Sequence, residues 1–383
     1  MQTANLAPVI ATLQPSNHPY LNGAWTPQHD ELTCDALDVI EGVIPSDING
    51  IYLRNTENQL HQPLGRYHPF DGDGMIHQID FHGELLFFNY SKHAPYMHYG
   101  VVDAQGQRAH YIPVPLPGPR LPHDMTFSEH WSIVNDLPLF WDTELLKRGI
   151  HAARMHEGVP ARFGLIPRYG QPDQIRWFEA APTYILHFLN AYEEGDEVVM
   201  DAYFQDNPQP APLANADGYG HMMAYVDEHS FQPRLHRWRF NLANGSTCEE
   251  RLDERVLEFG MIDSRVAGRK HRYVYSTTSK PGWFLFNGFV KHDLHTGQTS
   301  ELMLAEGRYA SEAPFAPRVG GEDEDDGYLV SFITDENSGT SECILINAQD
   351  LAAGPVCRIA LPHKISSGTH SCWTDRALLR HDV

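Results

Sequence analysis

FDGDGMIHQIDFHGELLFF, residues 70–88, has the pattern of a β-hairpin that follows a glycine-rich turn. Apolar residues alternate with polar ones through most of residues 75–81, and residues 84–88 are rich in aromatic and aliphatic residues. A period of two is typical of strands, and the short His82-Gly83 turn separates the two runs. The stretch therefore predicts two antiparallel strands joined by a tight turn.

Turn signals of the same kind recur along the chain, at Asn22-Gly23, Asn49-Gly50, Gln105-Gly106, Asn244-Gly245, Asn287-Gly288 and Thr296-Gly297. Between them lie runs rich in β-branched and aromatic residues, such as GIYL, HRYVYSTT, YLVSFIT and ECILINA. Many short strands with close turns indicate a sandwich, a barrel or a propeller. At ~40–45 residues per blade, 383 residues are enough for seven to eight blades. We therefore expect one all-β domain, residues 1–383, built as a β-propeller.

Helical signals are few. The best is DTELLKRGIHAARM, residues 142–155, which precedes Gly158 and Pro160. Because glycine and proline commonly follow the end of a helix, this segment predicts the main helix of the chain.

Composition excludes several classes of function. A formal net charge of −22 argues against nucleic acid, whose phosphates need clustered cations, and against electrostatic docking on anionic lipid. The N-terminus lacks the basic segment of a secretory signal, and no run approaches the ~18 apolar residues of a spanning helix. The five cysteines are odd in number and form no CxxC pair, which is typical of reduced thiols. We expect a soluble cytoplasmic protein.

Three of the 23 histidines stand out by their context. His123 follows a proline-rich loop at the entry to a strand, His187 interrupts the apolar run YILHFLNAY, and His370 lies among small residues in SSGTHSCW. Imidazole suits iron, copper and zinc, but most histidines in proteins are ordinary surface or core residues. Ligands so far apart in sequence converge only where distant strands meet, as the inner strands of a propeller do at its axis.

The segments around these histidines carry a resemblance to a known family. The motifs run in order along nearly the whole chain: IPSDINGIYLRNTEN (44–58), GRYHPFDGDGMIH (65–77), HDMTFSEHWSIVNDLPL (123–139), RFGLIPRYG (162–170), LHFLNAYEEGD (186–196), LEFGMIDSRVAGRKHRYVY (257–275), FVKHDLHTG (289–297), SEAPFAPRVGGEDEDDGYLVSF (311–332) and GTHSCW (368–373). Together they resemble the carotenoid cleavage oxygenases, the family that also contains the lignostilbene dioxygenases.

This resemblance implies a seven-bladed propeller with non-haem Fe(II) on its axis, held by four histidines. His123, His187 and His370 match the second, third and fourth of these ligands. Glu258 and Glu312 match two of the three glutamates that orient the histidine rings. A carboxylate on the Nδ1–H of such a ring fixes its tautomer and raises its basicity as a ligand. Without the resemblance, both glutamates would be interpreted as exposed charges near turns.

The chain departs from the family near residues 77–84. In the family a long segment separates the glycine-aspartate motif from the Gly-Glu-Leu strand, and it contains about two blades of strands, the first iron ligand and the third glutamate. Here the motif runs directly into the strand, so we expect a propeller that lacks one to two blades and has strands with fewer neighbours between residues 75 and 90. His77, His82 and His93 are the candidates to replace the missing ligand, although none matches the family pattern.

The sequence therefore predicts an Fe(II)-dependent oxygenase that adds O₂ across a conjugated carbon–carbon double bond of a carotenoid, apocarotenoid or stilbene and releases carbonyl products. One alternative is an impaired propeller that binds an apolar ligand without turnover, and another is a degenerate product that folds poorly. The choice between polyene and stilbene stays open, because polar contacts to a phenol would lie in the missing segment.

An apolar tunnel lined by aromatic and aliphatic side chains should lead to the iron, since polyenes and stilbenes offer little to hydrogen-bond. LPLFWDTELL, residues 137–146, is a candidate for its mouth and for a peripheral membrane contact. Plain core packing of Leu139, Phe140 and Trp141 explains the same pattern equally well.

Overall fold

The computed structural model describes residues 3–5, 12–28, 32–34, 36–55, 59–62, 80, 81, 84–148, 153–156, 158–211 and 226–376. Nearly all regular structure in these residues is antiparallel β-sheet. The sheets form the blades of a β-propeller, as expected, and we number the blades in the order of their long strands along the chain.

Blades 1, 2 and 3 are separate four-stranded meanders. The strands of blade 1 are Asp80–Phe81, Glu84–Tyr90, Tyr96–Val102 and Arg108–Pro115. Those of blade 2 are Thr126–Phe127, Trp131–Asp136, Ala161–Pro167 and Arg176–Ala180. Those of blade 3 are Phe188–Glu194, Glu197–Gln205, Pro233–Asn241 and Thr247–Arg251.

Blades 4 and 5 share one ten-stranded sheet, joined through the pairing of Phe286 with Ala310. Blade 4 contains Glu258–Met261, Tyr273–Ser279, Phe286–Asp293 and Gln298–Met303. Blade 5 contains Arg308–Ala310, Phe315–Pro317, Gly327–Asp335, Thr340–Asn347 and Pro355–Ala360. Val39–Gly42, from the N-terminal part of the chain, pairs with Pro355–Ala360 and extends blade 5 at its outer edge.

Blade 6 joins the two ends of the described chain. Gly50–Arg54 pairs with Ser371–Asp375 in a two-stranded sheet, with Gly50 opposite Asp375 and Arg54 opposite Ser371. Two further strand pairs lie outside the blades: Thr3–Asn5 with Leu32–Cys34, and Leu139–Trp141 with Ala153–Met155.

The remaining elements are short. The described α-helices are Thr143–Lys147 and Glu228–Phe231. Single 3₁₀ turns occur at Pro19–Leu21, Gly23–Trp25, Pro172–Gln174, Ser264–Val266 and Leu351–Ala353. No helix in the described residues has the length and apolar character needed to span a membrane.

The core lies between neighbouring blades, and the middle strands of the blades are covered on both faces. Ala161–Pro167 of blade 2 and Glu197–Gln205 of blade 3 are buried along most of their length. Phe163 packs against Phe240 and Trp238 across this boundary, with ring centroids 5.3 and 5.7 Å away. Such face-to-face contacts fix the angle between blades and thereby the positions of the loops at the centre.

Two expectations from the sequence require correction. The helix expected over residues 142–155 ends at Lys147, and residues 153–155 instead form a strand that pairs with Leu139–Trp141. Tertiary strand pairing thus overrides the local helical pattern. The strands of residues 75–90 were expected to have fewer neighbours than in a complete blade. Residues 75–79 lie outside the described residues, but Glu84–Tyr90 pairs on both sides within blade 1, where the edge strand Asp80–Phe81 is two residues long.

Candidate metal centre

Three histidines from three different blades meet at one point. One ring nitrogen each from His123, His187 and His370 lies within 4.8 Å of the others. The His187 ring stands nearly perpendicular to the other two, with centroids 5.1 Å from His123 and 5.2 Å from His370. Edge-to-face rings that converge at their edges present nitrogens, rather than ring faces, to the space between them. This arrangement is suited to a metal ion with open coordination positions.

Each histidine precedes the first strand of its blade. His123 lies three residues before Thr126–Phe127, whereas His187 and His370 lie directly before Phe188–Glu194 and Ser371–Asp375. His187, which interrupts an apolar run in the sequence, lies one residue outside the strand. The first strands of the blades are the ones nearest the axis, so residues that enter them are brought together although they are distant in sequence.

Glu258 fixes the orientation of the His187 ring. Its Oε2 lies 2.7 Å from Nδ1 of His187, and its side chain is completely buried. Because the Glu258 oxygen accepts a hydrogen bond from Nδ1–H, the proton stays on Nδ1, and Nε2 of His187 keeps the lone pair that a metal needs. Burial raises the pKa of Glu258 to about 8, and nearby Glu312 adds to the rise, whereas the backbone N–H of Phe259 opposes it.

The two residues after Glu258 explain why the local sequence is Glu-Phe-Gly. Phe259 has a left-handed backbone with φ of +49°, and its N–H donates to Glu258 Oε2 over 2.8 Å. This conformation costs energy for a residue other than glycine and is typical of functional sites. A Cβ on Gly260 would lie 2.0 Å from Tyr203 Oη. The strand can therefore approach blade 3 only because glycine occupies that position.

Glu312 supports His370 less directly. Its Oε2 lies 3.5 Å from Nδ1 of His370, which is longer than an ordinary hydrogen bond, and accepts the backbone N–H of Ser371 over 2.8 Å. The backbone N–H of Glu312 in turn donates to the carbonyl of Thr369 over 3.2 Å. Glu312 thus holds the segment around His370 from both sides, and its carboxylate lies beside the ring.

Asp124 ties the loops of two histidines together. The carboxylate of Asp124 makes one hydrogen bond to the adjacent backbone, because its Oδ1 accepts the N–H of Met125 over 2.7 Å. Its Oδ2 accepts the N–H of Phe188, next to His187, over 3.0 Å. Burial raises the pKa of Asp124 to about 6. The side chain of Asn135 donates to the Asp124 carbonyl over 2.8 Å, so the loop before blade 2 has little freedom. Sequence reasoning did not identify Asn135, and nothing in its local pattern distinguishes it.

Of the three candidates for the missing ligand, only His93 lies in the described residues. His77 and His82 lie outside the described residues. His93 lies in the turn between Glu84–Tyr90 and Tyr96–Val102, is exposed, and is not part of the histidine cluster. Of the three candidates, His93 is thus the one that the described residues place outside the cluster.

Aromatic side chains cover one side of the cluster. The Phe259 ring lies 4.4 Å from the ring of His187 and 5.5 Å from that of His370, and it packs against Phe284 and Phe286. The segment 137–146 is arranged differently. Leu139 is buried in the core, and the Phe140 ring stacks on His156 at 3.7 Å. At those two positions the structure favours plain packing over a tunnel mouth.

Comparison with known families adds a second line of observation. The sequence profile described as retinal pigment epithelial membrane protein matches residues 25–84 and 79–375. The two matched segments overlap at residues 79–84, within the region in which the sequence departs from the family pattern.

Curated proteins similar to this chain include dioxygenases and a monooxygenase. A carotenoid 9,10(9',10')-cleavage dioxygenase 1 from Pisum sativum is 35% identical over 76% of this chain and 56% of its own length. An isoeugenol monooxygenase from Pseudomonas putida is 29% identical over 77% of this chain and 63% of its own length. The chain thus spans little more than half the length of the plant 9,10(9',10')-cleavage dioxygenases that it matches.

Solved structures share the fold. A lignostilbene dioxygenase from Pseudomonas brassicacearum superimposes with a TM-score of 0.81 at 19% identity, over 95% of this chain and 100% of that chain. A variant of the Synechocystis apocarotenoid oxygenase gives a TM-score of 0.66 at 23% identity, over 76% of this chain and 60% of that one.

Fold and site together define a β-propeller with a histidine cluster at the centre of its blades. The length of the profile match and the identity to the plant dioxygenase assign it further. The chain belongs to the carotenoid cleavage oxygenase family.

Proposed function

We propose that this protein is an Fe(II)-dependent oxygenase that cleaves a conjugated carbon–carbon double bond in a carotenoid, apocarotenoid or stilbene and releases two carbonyl products. The observation that carries the proposal is the convergence of three imidazoles, one of them oriented by the buried Glu258 carboxylate. The relatives named as carotenoid dioxygenases and isoeugenol monooxygenase support it.

The donor set fits a divalent transition metal. Three neutral imidazoles bring no negative charge, and imidazole suits iron, zinc, copper and nickel alike. The Nε2 atoms of His123 and His187 are both buried, so a bound ion would be shielded from bulk water on that side. Iron is the choice favoured by the family, and when bound it would supply the activation of dioxygen.

The side chains of this protein have three tasks in such a reaction. Glu258 keeps the proton of His187 on Nδ1 and thereby keeps Nε2 available. Phe259 places an apolar ring against His187 and His370, which excludes water and favours an apolar substrate. Asp124 holds the loops of His123 and His187 at a fixed separation.

The coordination proposed here has three histidines of this chain, with His77 and His82 as the remaining candidates for a fourth. A three-histidine site should bind iron more weakly than a four-histidine one, because each nitrogen contributes to retention of the ion. We also propose that the chain is one domain, shortened near residues 77–84, and that its partners are O₂ and an apolar small molecule.

Metal content and oxygen consumption test this function. Purified protein is loaded with Fe(II) without air, and iron per chain is measured before and after dialysis against a mild chelator. Oxygen uptake is then followed with an apocarotenoid and with a hydroxystilbene, and isotopically labelled O₂ is traced into the products by mass spectrometry. We expect iron binding, substrate-dependent oxygen uptake and labelled carbonyls, all absent in His187→Ala.

The matched control is His93→Ala, which changes an exposed histidine outside the cluster and should retain wild-type behaviour. Iron-loaded protein that binds either compound without oxygen uptake would establish the impaired binder instead. Full activity in His187→Ala would overturn the site assignment.

A further inference from the structure

Trp25 has a buried polar group that the described residues do not satisfy. The side chain is 2% exposed, and its indole N–H meets no hydrogen-bond acceptor among the described residues. Buried tryptophan N–H groups usually find a partner, because an unmade hydrogen bond is costly in the interior. A phenylalanine would fill an aromatic stack without that cost, so the N–H at this position requires an explanation.

An aromatic array connects Trp25 with the histidine cluster. The indole stacks on Phe284, with ring centroids 5.9 Å apart and planes inclined by 28°. Phe284 packs against Phe259 at 5.6 Å, and Phe259 contacts the rings of His187 and His370. Trp25 is therefore linked to the rings beside the candidate metal centre through two intervening phenylalanines.

The backbone around Trp25 is held on both sides. The N–H of Ala24 donates to Glu336 Oε1 over 2.7 Å, and the carbonyl of Ala24 accepts the N–H of Ser367 over 2.6 Å. Ser367 lies in the same segment as His370. The position of the indole is thus coupled to the loop that carries a candidate ligand, which is the preorganisation expected of a binding residue.

Tyr20 supports the indole from the other side. Its ring meets that of Trp25 edge-on at 5.2 Å, and its hydroxyl accepts the backbone N–H of Phe284 over 3.0 Å. The Tyr20 hydroxyl therefore has a hydrogen-bond partner, whereas the Trp25 N–H meets no acceptor among the described residues. Both residues lie in 3₁₀ turns that pack over the aromatic array.

A second buried indole serves as a comparison. The N–H of Trp238 also lacks an acceptor within hydrogen-bond limits, but Trp238 lies inside blade 3 with Glu249 directly opposite it on the neighbouring strand. A carboxylate thus lies on the strand next to Trp238. The ring contacts of Trp25, by contrast, are with Tyr20 and Phe284, neither of which carries a carboxylate.

We propose that Trp25 is a specificity-determining residue whose indole N–H donates a hydrogen bond to an oxygen substituent of the substrate. The inference rests on the proposed function and deepens it. An oxygenated conjugated compound, bearing a hydroxyl, carbonyl or ether oxygen away from the cleaved bond, satisfies the donor, whereas a hydrocarbon leaves it unpaired. Sites with a buried donor discriminate against analogues that lack the acceptor.

The test is Trp25→Phe, which keeps an aromatic ring in the stack and removes the N–H. Dissociation constants are measured on metal-free protein for two matched pairs, a hydroxylated and an unsubstituted apocarotenal, and a hydroxystilbene and stilbene. We expect the wild type to favour the oxygenated member of at least one pair by about tenfold, the effect of one hydrogen bond. In Trp25→Phe that preference should fall to about unity through weaker binding of the oxygenated compound alone.

The control is Trp283→Phe, because Trp283 contacts Tyr20 at 5.9 Å in the same array but is 37% exposed. It should keep the wild-type preference. An unchanged preference in Trp25→Phe, or an equal loss for both members of each pair, overturns the inference. If the variant does not fold, a wild-type preference near unity in both pairs overturns it as well.

Failure of the proposed function is distinguishable from failure of this inference. A Trp25-dependent preference in binding, without oxygen uptake by the iron-loaded wild type, removes the oxygenase and leaves the recognition role intact. Brisk cleavage with no dependence on Trp25 supports the oxygenase and removes the recognition role of Trp25.

Discussion

Two parts of the propeller differ in how well their apolar side chains are covered. In blades 2 and 3 the middle strands are buried on both faces, and Ile133 and Phe163 have no exposed surface. Residues 37–53, which we call the N-terminal strip, expose most of their large apolar side chains: Leu37, Val39, Ile40, Val43, Ile44, Ile51 and Leu53. The strip supplies one strand each to blades 5 and 6.

The difference shows which part of the molecule holds most of the candidate metal centre. A strand with apolar residues on its solvent face is typical of a surface that another element covers. His123 and His187 lie at the entries to blades 2 and 3, and Glu258 lies in the first strand of blade 4. The candidate metal centre is thus built mainly by blades to which the N-terminal strip adds no strand.

The largest expected effect compares the two parts directly. Ile133→Ala in the covered part should lower the free energy of unfolding by about 2–5 kcal/mol, because it opens a cavity in a packed core. Val43→Ala in the strip, where the side chain is 78% exposed, should change it by no more than about 0.5 kcal/mol. Urea denaturation of both variants measures the contrast. Equal losses would mean that Val43 is covered in solution.

The next effect concerns a weak point inside the covered part. Glu228 is completely buried, and both carboxylate oxygens lack a hydrogen-bond partner among the described residues. Burial raises its pKa well above the usual range. Above about pH 4.3 the unfolded chain releases this proton while the folded protein retains it, so the wild type loses stability as pH rises until the raised pKa is passed.

Glu228→Gln carries no such proton. Its stability advantage over the wild type should grow with pH in that window, by about 1.4 kcal/mol per pH unit at most. Denaturation of both proteins from about pH 4 to about pH 8 follows the difference. A difference that stays constant or shrinks would show that Glu228 is ionised in the folded protein.

Metal affinity tests the cluster within the covered part. His187→Ala should weaken metal binding by more than the ~10–100-fold typical of losing a partner that only orients a ligand. Titration calorimetry with Fe(II) or a redox-inert substitute ion under anaerobic conditions measures the constant. His93→Ala should bind as the wild type does, and a comparable loss in that variant would contradict the cluster.

The smallest effect separates the two glutamates. Glu258→Gln removes the charge from a contact of 2.7 Å and should weaken metal binding by ~10–100-fold. Glu312→Gln should cost less, because its contact with His370 is 3.5 Å and its oxygen is shared with the N–H of Ser371. The same titrations rank the two. A larger loss for Glu312→Gln would mean that metal binding depends more on His370 and its supporting glutamate than on His187.

The sequence predicts the fold class because the period of two and the turn dipeptides are local signals, and these held for blades 1 to 5. It identifies His123, His187 and His370 only through the ordered family motifs, since spacing cannot show that loops from three blades converge. The roles of Phe259 and Gly260 are visible only in the structure, where a left-handed φ and a 2.0 Å approach to Tyr203 become measurable.

The failures have equally physical causes. Residues 153–155 carry a helical pattern, but they pair with the strand Leu139–Trp141, and this tertiary pairing overrides the local pattern. Trp25 was not singled out, because a tryptophan that follows an Asn-Gly-Ala turn has the pattern of an ordinary core residue. Its meaning depends on which acceptors are absent around it in space.

Blade 6 has a consequence for the dynamics of the molecule. The N–H of Asn55 donates to the carbonyl of His370 over 2.7 Å, at the end of the strand pair that joins Gly50–Arg54 to Ser371–Asp375. These strands come from opposite ends of the described chain, so their pairing has a high contact order and should form late in folding. A two-stranded sheet also opens locally at low cost. Because His370 is in place only while this pair is closed, a bound metal ion should slow amide hydrogen exchange in Gly50–Arg54, far along the chain from every ligand.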